Sequence, residues 1–295
     1  MDSFLVGSDK EQIGGKGASR SRRRRQRMVL TKRDREIVRW VYEARLATRK
    51  QVHKLFFTEG GRSRCKRRLT LLYRNGYIDK LARKFVSAPD VYYISRRSSK
   101  GLRLLRSLAP EEPVEPQTVP SNTVQHTIEI GDCRVALSGA CAAAGYTLSA
   151  WLGEKDLLSR MHGAGLLPDG YFQITRQVKG EPRMAGFFLE VERSGKSERT
   201  TGERFRRYGE FYYSGQYAQR FGTEALRVLF LVGDEYGIDP TRQIDRFKAM
   251  CARLQVTILR FAPLEYFISL DGHDPLFARI WHRPGADDAS ALFDS

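Results

Sequence analysis

Apolar residues along this chain fall into two rhythms, and the points where one gives way to the other set the expected architecture. Ile37, Val38, Val41 and Ala44 share one helical face behind Thr31-Lys32-Arg33-Asp34, where a hydroxyl is followed three positions later by a carboxylate, the pattern of a capped helix start. Thr48-Arg49-Lys50-Gln51 repeats the pattern ahead of Val52, Leu55 and Phe56, and this second helix is expected to end near Glu59-Gly60-Gly61. A third helix is predicted over 63–75, burying Cys65, Leu69 and Leu72 and stopping at Gly76. The pattern then moves toward period two through Tyr77, Ile78, Leu81 and Phe85, turns at Ser87-Ala88-Pro89-Asp90, and resumes over Val91 to Ile94 as the return strand of a hairpin. A fourth helix over 100–108 closes the unit. Three short helices followed by a hairpin are the order of a winged helix-turn-helix, here over 30–108.

Residues 109–122 break both rhythms. Pro110, Pro113, Pro116 and Pro120 stand among three glutamates with almost no large apolar side chain, which predicts an extended, semi-rigid linker. Beyond it the pattern is α/β. A helix over 124–144 with Ala136, Ala140, Ala143 and Ala144 on one face ends at Gly145, and strands are predicted at 146–151, 169–174, 186–192, 226–232 and 256–261. Between them lie a short helix at 154–161, a long one over 198–221 and another from Asp239-Pro240 to Leu254. Alternation of this kind implies a sheet covered on its faces. Residues 123–283 form the second domain in this reading, and the acidic, Ala-rich stretch 284–295 is expected to fray.

Charge changes the picture. The chain has a net charge of +17, yet Arg20 to Leu108 holds 28 Lys and Arg against 6 Asp and Glu, so the excess belongs to the first unit alone. A cationic unit joined to a near-neutral one reads as a polyanion-binding module carrying a second module. Residues 1–29 form a basic arm, disordered at its start, whose Arg22, Arg23, Arg24 and Arg25 suit phosphates or a minor groove, or simply solubilise the chain. Arg62, Arg64, Lys66, Arg67, Arg68 and Arg74 on or beside the third helix, with Arg83 and Lys84 on the wing, are the candidate contacts to duplex DNA. The four cysteines are far apart with no zinc spacing, which fits reduced structural thiols. No apolar run approaches the ~20 residues that span a bilayer, so the expected setting is cytoplasmic.

The candidate chemistry lies at strand ends. Pro168-Asp169-Gly170 opens one predicted strand, and Glu190 and Glu192 share a face of the next, because residues two apart in a strand point the same way. Asp169, Glu190 and Glu192 could converge on a hard cation such as Mg²⁺ and so activate water against a phosphodiester. The alternative is that the glutamates lie on an exposed strand face and pair with Arg193 or Arg206. Tyr208, Phe211, Tyr212, Tyr213 and Tyr217 have core or interface spacing, although beside Arg206, Arg207 and Arg220 they could also stack unpaired bases, and His162, His273 and His282 lack ligand partners.

His126 opening the helix after the linker, Trp151 with Glu154, Pro168-Asp169, the strand Phe188 to Glu192 and Arg204-Phe205-x-x-Tyr208 together resemble the replication-relaxation family of bacterial plasmids and integrative elements, over roughly Leu30 to Leu259. The resemblance implies a winged helix followed by a restriction-endonuclease-like PD-(D/E)xK domain, with helices around a mixed sheet. It also implies metal-binding roles for Asp169 and Glu190. The active pattern, however, wants Lys where this chain has Glu192, and glutamate cannot stabilise developing negative charge. Lys196 or Arg204 could bring a cation from elsewhere, although Arg is too basic to accept a proton.

The leading expectation is therefore a DNA-binding accessory factor of a mobile element, needing no cofactor to bind, with a relaxase, replication or other mobility protein as partner and a homodimer as a possible state. A Mg²⁺-dependent endonuclease or nickase and a transcription regulator are the alternatives.

Overall fold

A computed structural model describes residues 28–82, 89–120, 123–193, 197–234, 239–269 and 274–293. Most of the basic arm, Arg83 and Lys84, Lys196 and His273 lie outside the described residues.

The first unit runs α1 (Lys32–Glu43), β1 (Ala47–Thr48), α2 (Arg49–Phe56), α3 (Arg62–Arg74), β2 (Asp79–Lys80), β3 (Val91–Tyr93) and α4 (Ser99–Leu108). Both expected caps form: the Thr31 hydroxyl accepts the Asp34 N–H at 3.3 Å while the Asp34 carboxylate accepts the Thr31 N–H at 2.7 Å, and Thr48 and Gln51 do the same for α2. After α3 the chain turns at Gly76, whose φ of +77° is the left-handed conformation that glycine adopts without strain. The two-residue β1 has no signature in the sequence. It pairs antiparallel with β3, giving a small sheet in the order β1-β3-β2. Ile37, Val38, Val41, Val52, Cys65, Leu69, Leu72, Ile78 and Ile94 are fully buried between the helices and this sheet.

The proline-rich stretch is extended and is laid along the first unit. Val114 joins that unit's core, the Gln117 N–H donates to the Ile94 carbonyl at 2.7 Å, and the Gln117 side-chain amide donates to the Tyr42 carbonyl at 2.6 Å.

The second unit follows as α5 (Val124–Ala143), β4 (Thr147–Gly153), α6 (Glu154–Arg160), β5 (Gly170–Val178), β6 (Glu181–Glu192), α7 (Glu198–Tyr213), α8 (Gln216–Phe221), β7 (Leu226–Val232), α9 (Pro240–Leu254), β8 (Leu259–Pro263) and α10 (Leu264–Ile268). Its five-stranded mixed sheet has the order β4-β5-β6-β7-β8; β4, β5 and β6 are antiparallel neighbours, while β7 runs parallel to both β6 and β8. Every residue of β7 except Arg227 is buried, as expected of a strand covered on both faces. One face packs Phe188, Tyr171 and Phe230 against α7, α8 and α9; the other packs Phe172, Phe187 and Leu229 against α5 and α10.

Two expectations need correction. The single long helix over 198–221 is two helices, because Gly215 takes a φ of +79° and ends the first. The stretch after Arg283 folds back instead of fraying: Trp281 and Ser290 exchange two main-chain hydrogen bonds at 2.9 and 3.1 Å, and Leu292 and Phe293 pack on the α5-facing core.

Helix α5 belongs to both units. Val135 joins the first core, and the Gln51 side-chain amide of α2 donates to the Ile128 carbonyl at 2.8 Å and to Asp132 at 2.9 Å. Gly131 makes this approach possible, since a Cβ there would lie 2.9 Å from Gln51 Nε2.

Candidate nucleic-acid interface and carboxylate cluster

Helix α3 turns Cys65, Leu69 and Leu72 inward, and its spacing leaves Arg62, Arg64, Lys66, Arg67 and Arg74 exposed. Among the described residues none of these five makes an ion pair, so their charge faces water. Arg68 is different. It pairs with Asp34, which is completely buried, and donates to the Val29 carbonyl at 2.7 Å. Burial works against ionisation of Asp34, but Arg68 and the Thr31 bonds outweigh it and lower its pKa below the ordinary carboxylate value. Arg68 therefore fastens α3 to α1. Arg22 to Arg25, Arg83 and Lys84 lie outside the described residues.

In the second unit the three predicted carboxylates do come together. Asp169 precedes β5, and the register Gly170–Leu189 brings it beside Glu190 near the end of β6. Asp169 Oδ2 accepts the Val191 N–H at 2.8 Å, and Oδ1 lies 3.0 Å from His126 Nε2 in the first turn of α5. Glu190 and Glu192 are 1% and 4% exposed, so the exposed-face alternative does not hold. Arg204 of α7 reaches both carboxylates, at 3.3 Å for Glu192, and Tyr208 one turn later donates its hydroxyl to Glu190. Neither Arg193 nor Arg206 fills this role: Arg193 pairs with Glu129 of α5, and Arg206 is exposed.

The electrostatics are mutual. The hydrogen bond to Asp169 raises the pKa of His126 against the opposing effect of burial, with help from Glu190 and Glu192. Burial resists ionisation of Asp169, yet His126, the Val191 N–H and Arg204 pull its pKa down. Burial and the Glu190 carboxylate hold the Tyr208 hydroxyl well above its ordinary value. Burial also works against charge on Arg204, but Glu190, Tyr208, Asp169 and Glu192 outweigh it and raise its pKa.

The sequence matches the replication-relaxation family over residues 38–225, a stretch spanning α3 and most of the cluster, including His126, Asp169, Glu190, Glu192, Arg204 and Tyr208. The chain belongs to the replication-relaxation family. No curated protein matches it. Among solved structures, restriction endonuclease FokI aligns at 14% identity over 79% of this chain and 42% of that one, with a TM-score of 0.29. FokI bound to DNA aligns at 12% over 80% and 43%, with a TM-score of 0.30. This chain thus spans about two-fifths of the length of those structures, and likeness at such scores carries no argument here.

For this member of the replication-relaxation family, the arrangement decides what the cluster can do. A hard cation needs carboxylate oxygens turned toward a shared, otherwise open point. Here Arg204 is shared between Glu190 and Glu192, Tyr208 holds Glu190, and the oxygens of Asp169 are directed to His126 and to the main chain. Among the described residues no group of three or more His, Cys, Asp and Glu side chains could hold a metal ion. As arranged, Asp169, Glu190 and Glu192 do not fit Mg²⁺, because their oxygens are turned to Arg204, Tyr208, His126 and the Val191 N–H instead of toward one open point. In the sequence His126 marks only the start of a helix and Tyr208 only a core position, with nothing that ties either to a carboxylate. Arg204 and Tyr208 are four apart and so share a helix face, whereas nothing local links His126 to an aspartate 43 positions away.

All four cysteines are buried and free, and no described helix is long and apolar enough to cross a membrane.

Proposed function

We propose that this replication-relaxation protein is a DNA-binding factor of a bacterial mobile element. In this reading the first unit is a winged helix, with β1 as the third strand of its small sheet and α3 as the recognition helix lying on duplex DNA. Arg62, Arg64, Lys66, Arg67 and Arg74 contact phosphates or base edges, with the basic arm, Arg83 and Lys84 on the flanking backbone. The second unit acts as a nuclease-like platform for DNA or for a relaxase, replication or other mobility protein, and does not cleave. One observation carries the reading: α3 presents five exposed cations with no described ion pair, while the clustered carboxylates of the second unit are already engaged by Arg204, Tyr208 and His126.

The test is incubation with supercoiled plasmid in Mg²⁺, Mn²⁺ or chelator, alongside binding by the wild-type protein, Arg64→Ala/Arg67→Ala and Asp169→Ala. The expected result is binding lost in the arginine pair and intact plasmid in every lane. Metal-dependent nicking abolished by Asp169→Ala would overturn the platform reading in favour of an endonuclease.

A further inference from the structure

The second unit carries a line of arginines on the sheet face opposite Glu190 and Glu192. Arg176 of β5 and Arg183 of β6 are direct cross-strand partners. Arg227 of β7 pairs with Phe187, and Leu229, two residues along, pairs with Arg260 of β8, so Arg227 and Arg260 are diagonal neighbours on one face. An antiparallel bridge between Phe261 and His282 sets Arg283 opposite Arg260. Strand alternation puts all five on the face that buries Phe187, Leu229 and Trp281. The line runs diagonally, across four strand spacings of about 4.8 Å and along about six residues at roughly 3.3 Å each, about 28 Å in all. It lies on the opposite face of the sheet from Glu190 and Glu192, which share the face of Phe188 that packs against α7.

Among the described residues none of the five makes an ion pair. Arg227 donates to its neighbour's carbonyl at 2.9 Å, Arg260 to the Thr257 and Leu259 carbonyls at 2.8 Å, and Arg176 stands 5.0 Å over the Phe293 ring. Arg193 and Arg204 of the same unit, by contrast, are each matched to a buried carboxylate. Arg260 is half-buried beside two like charges; burial, Arg227 and Arg283 push its pKa down to about 10. Repulsion of this kind is relieved by an anion, and the guanidinium fork suits phosphate oxygens. Because the charges are spread in a line instead of gathered in a pocket, they match a polyanion better than a single small anion.

We infer that Arg176, Arg183, Arg227, Arg260 and Arg283 form a second phosphodiester-binding face, which holds the backbone of the duplex engaged by α3. The inference rests on the DNA-binding reading above. Its consequence is that DNA on this face is kept away from the carboxylate cluster, as a platform requires.

The experiment measures the salt dependence of full-length protein binding to duplex DNA for wild type, Arg227→Gln/Arg283→Gln and Arg64→Gln/Arg67→Gln. Arg227 and Arg283 are exposed, so the fold is expected to survive, and an unchanged thermal midpoint checks it. Losing two phosphate contacts makes the slope of log affinity against log salt shallower by about 1.8, at roughly 0.9 per contact. Arg227→Lys/Arg283→Lys restores the slope if charge on phosphate is what matters. A wild-type slope in Arg227→Gln/Arg283→Gln, with weakened Arg64→Gln/Arg67→Gln, overturns this inference and leaves the α3 reading standing. Full binding by Arg64→Gln/Arg67→Gln overturns the α3 reading, and absence of duplex binding by wild type overturns both.

Discussion

The two units use arginine in opposite ways. On α3 the guanidinium groups of Arg62, Arg64, Arg67 and Arg74 stay in water, above a core of Cys65, Leu69 and Leu72 that folds without them. In the second unit Arg204 leaves the solvent to meet two carboxylates that are themselves almost fully buried. Charge kept in water contributes little to folding and remains available to a polyanion. Charge buried in a matched cluster is committed to the fold, because removing one partner leaves the other desolvated and uncompensated. Arg68 shows that the distinction follows environment and not sequence neighbourhood: it stands next to Arg67 but pairs with buried Asp34.

The strongest way to break this contrast is Arg204→Met. It keeps much of the side-chain volume but withdraws the guanidinium that Glu190 and Glu192 share, and is expected to cost about 3–5 kcal/mol in urea unfolding. Arg64→Ala is expected to stay within about 0.5 kcal/mol of wild type. Equal stabilities for the two variants would show that the cluster is not committed to folding.

A smaller effect is expected where the units meet. Gly131→Ala places a methyl 2.9 Å from Gln51 Nε2 and displaces the amide that joins α2 to α5; an overpacking cost of about 1–3 kcal/mol, less the gain of up to about 1 kcal/mol in helix propensity, leaves an expected net loss of up to about 2 kcal/mol. Gly139 lies on the same helix with nothing within 4 Å of where its Cβ would sit. Gly139→Ala is therefore expected to stabilise by up to about 1 kcal/mol, through helix propensity alone. Thermal unfolding of the pair checks both, and a neutral Gly131→Ala would mean that the units are only loosely joined.

How far the sequence could be read follows from the range of the interactions involved. Local patterns announced the caps at Thr31 and Thr48, the stop at Gly76 and the hydrophobic run of β7, because each is decided within a few residues. Spacing two apart correctly put Glu190 and Glu192 on one face, but did not reveal that this face is buried under α7. β1 is too short to leave a pattern, the break at Gly215 looks like any glycine in a helix, and the fold-back of Leu292 and Phe293 depends on a surface built by distant strands. By residue type alone Arg68 and Arg204 read as binding or spare cations. Their true partners lie 34 and 14 positions away and become visible only in three dimensions.

The smallest effect tests the edge of the cluster, where charge is neither fully buried nor free. His126 is 35% exposed and its folded pKa is raised, so the stability it gives through Asp169 is complete below its ordinary value of about 6.5 and is lost as pH rises through the folded value. Asp169 has a lowered folded pKa; its contribution is present above about 3.9 and is lost as pH falls through the folded value. The pair therefore favours folding most between roughly pH 4 and 6.5. Solvent screening keeps the alkaline loss below about 1 kcal/mol. His282 works in the opposite direction, since burial and Lys248 lower its pKa, so the decisive quantity is the difference between wild type and His126→Asn measured across pH. The urea midpoints of the two proteins are expected to separate most between roughly pH 4 and 6.5 and to converge as pH rises through the raised folded value of His126. Curves that stay parallel would place His126 outside the cluster's electrostatics and confine the buried charge to Arg204 and its carboxylates.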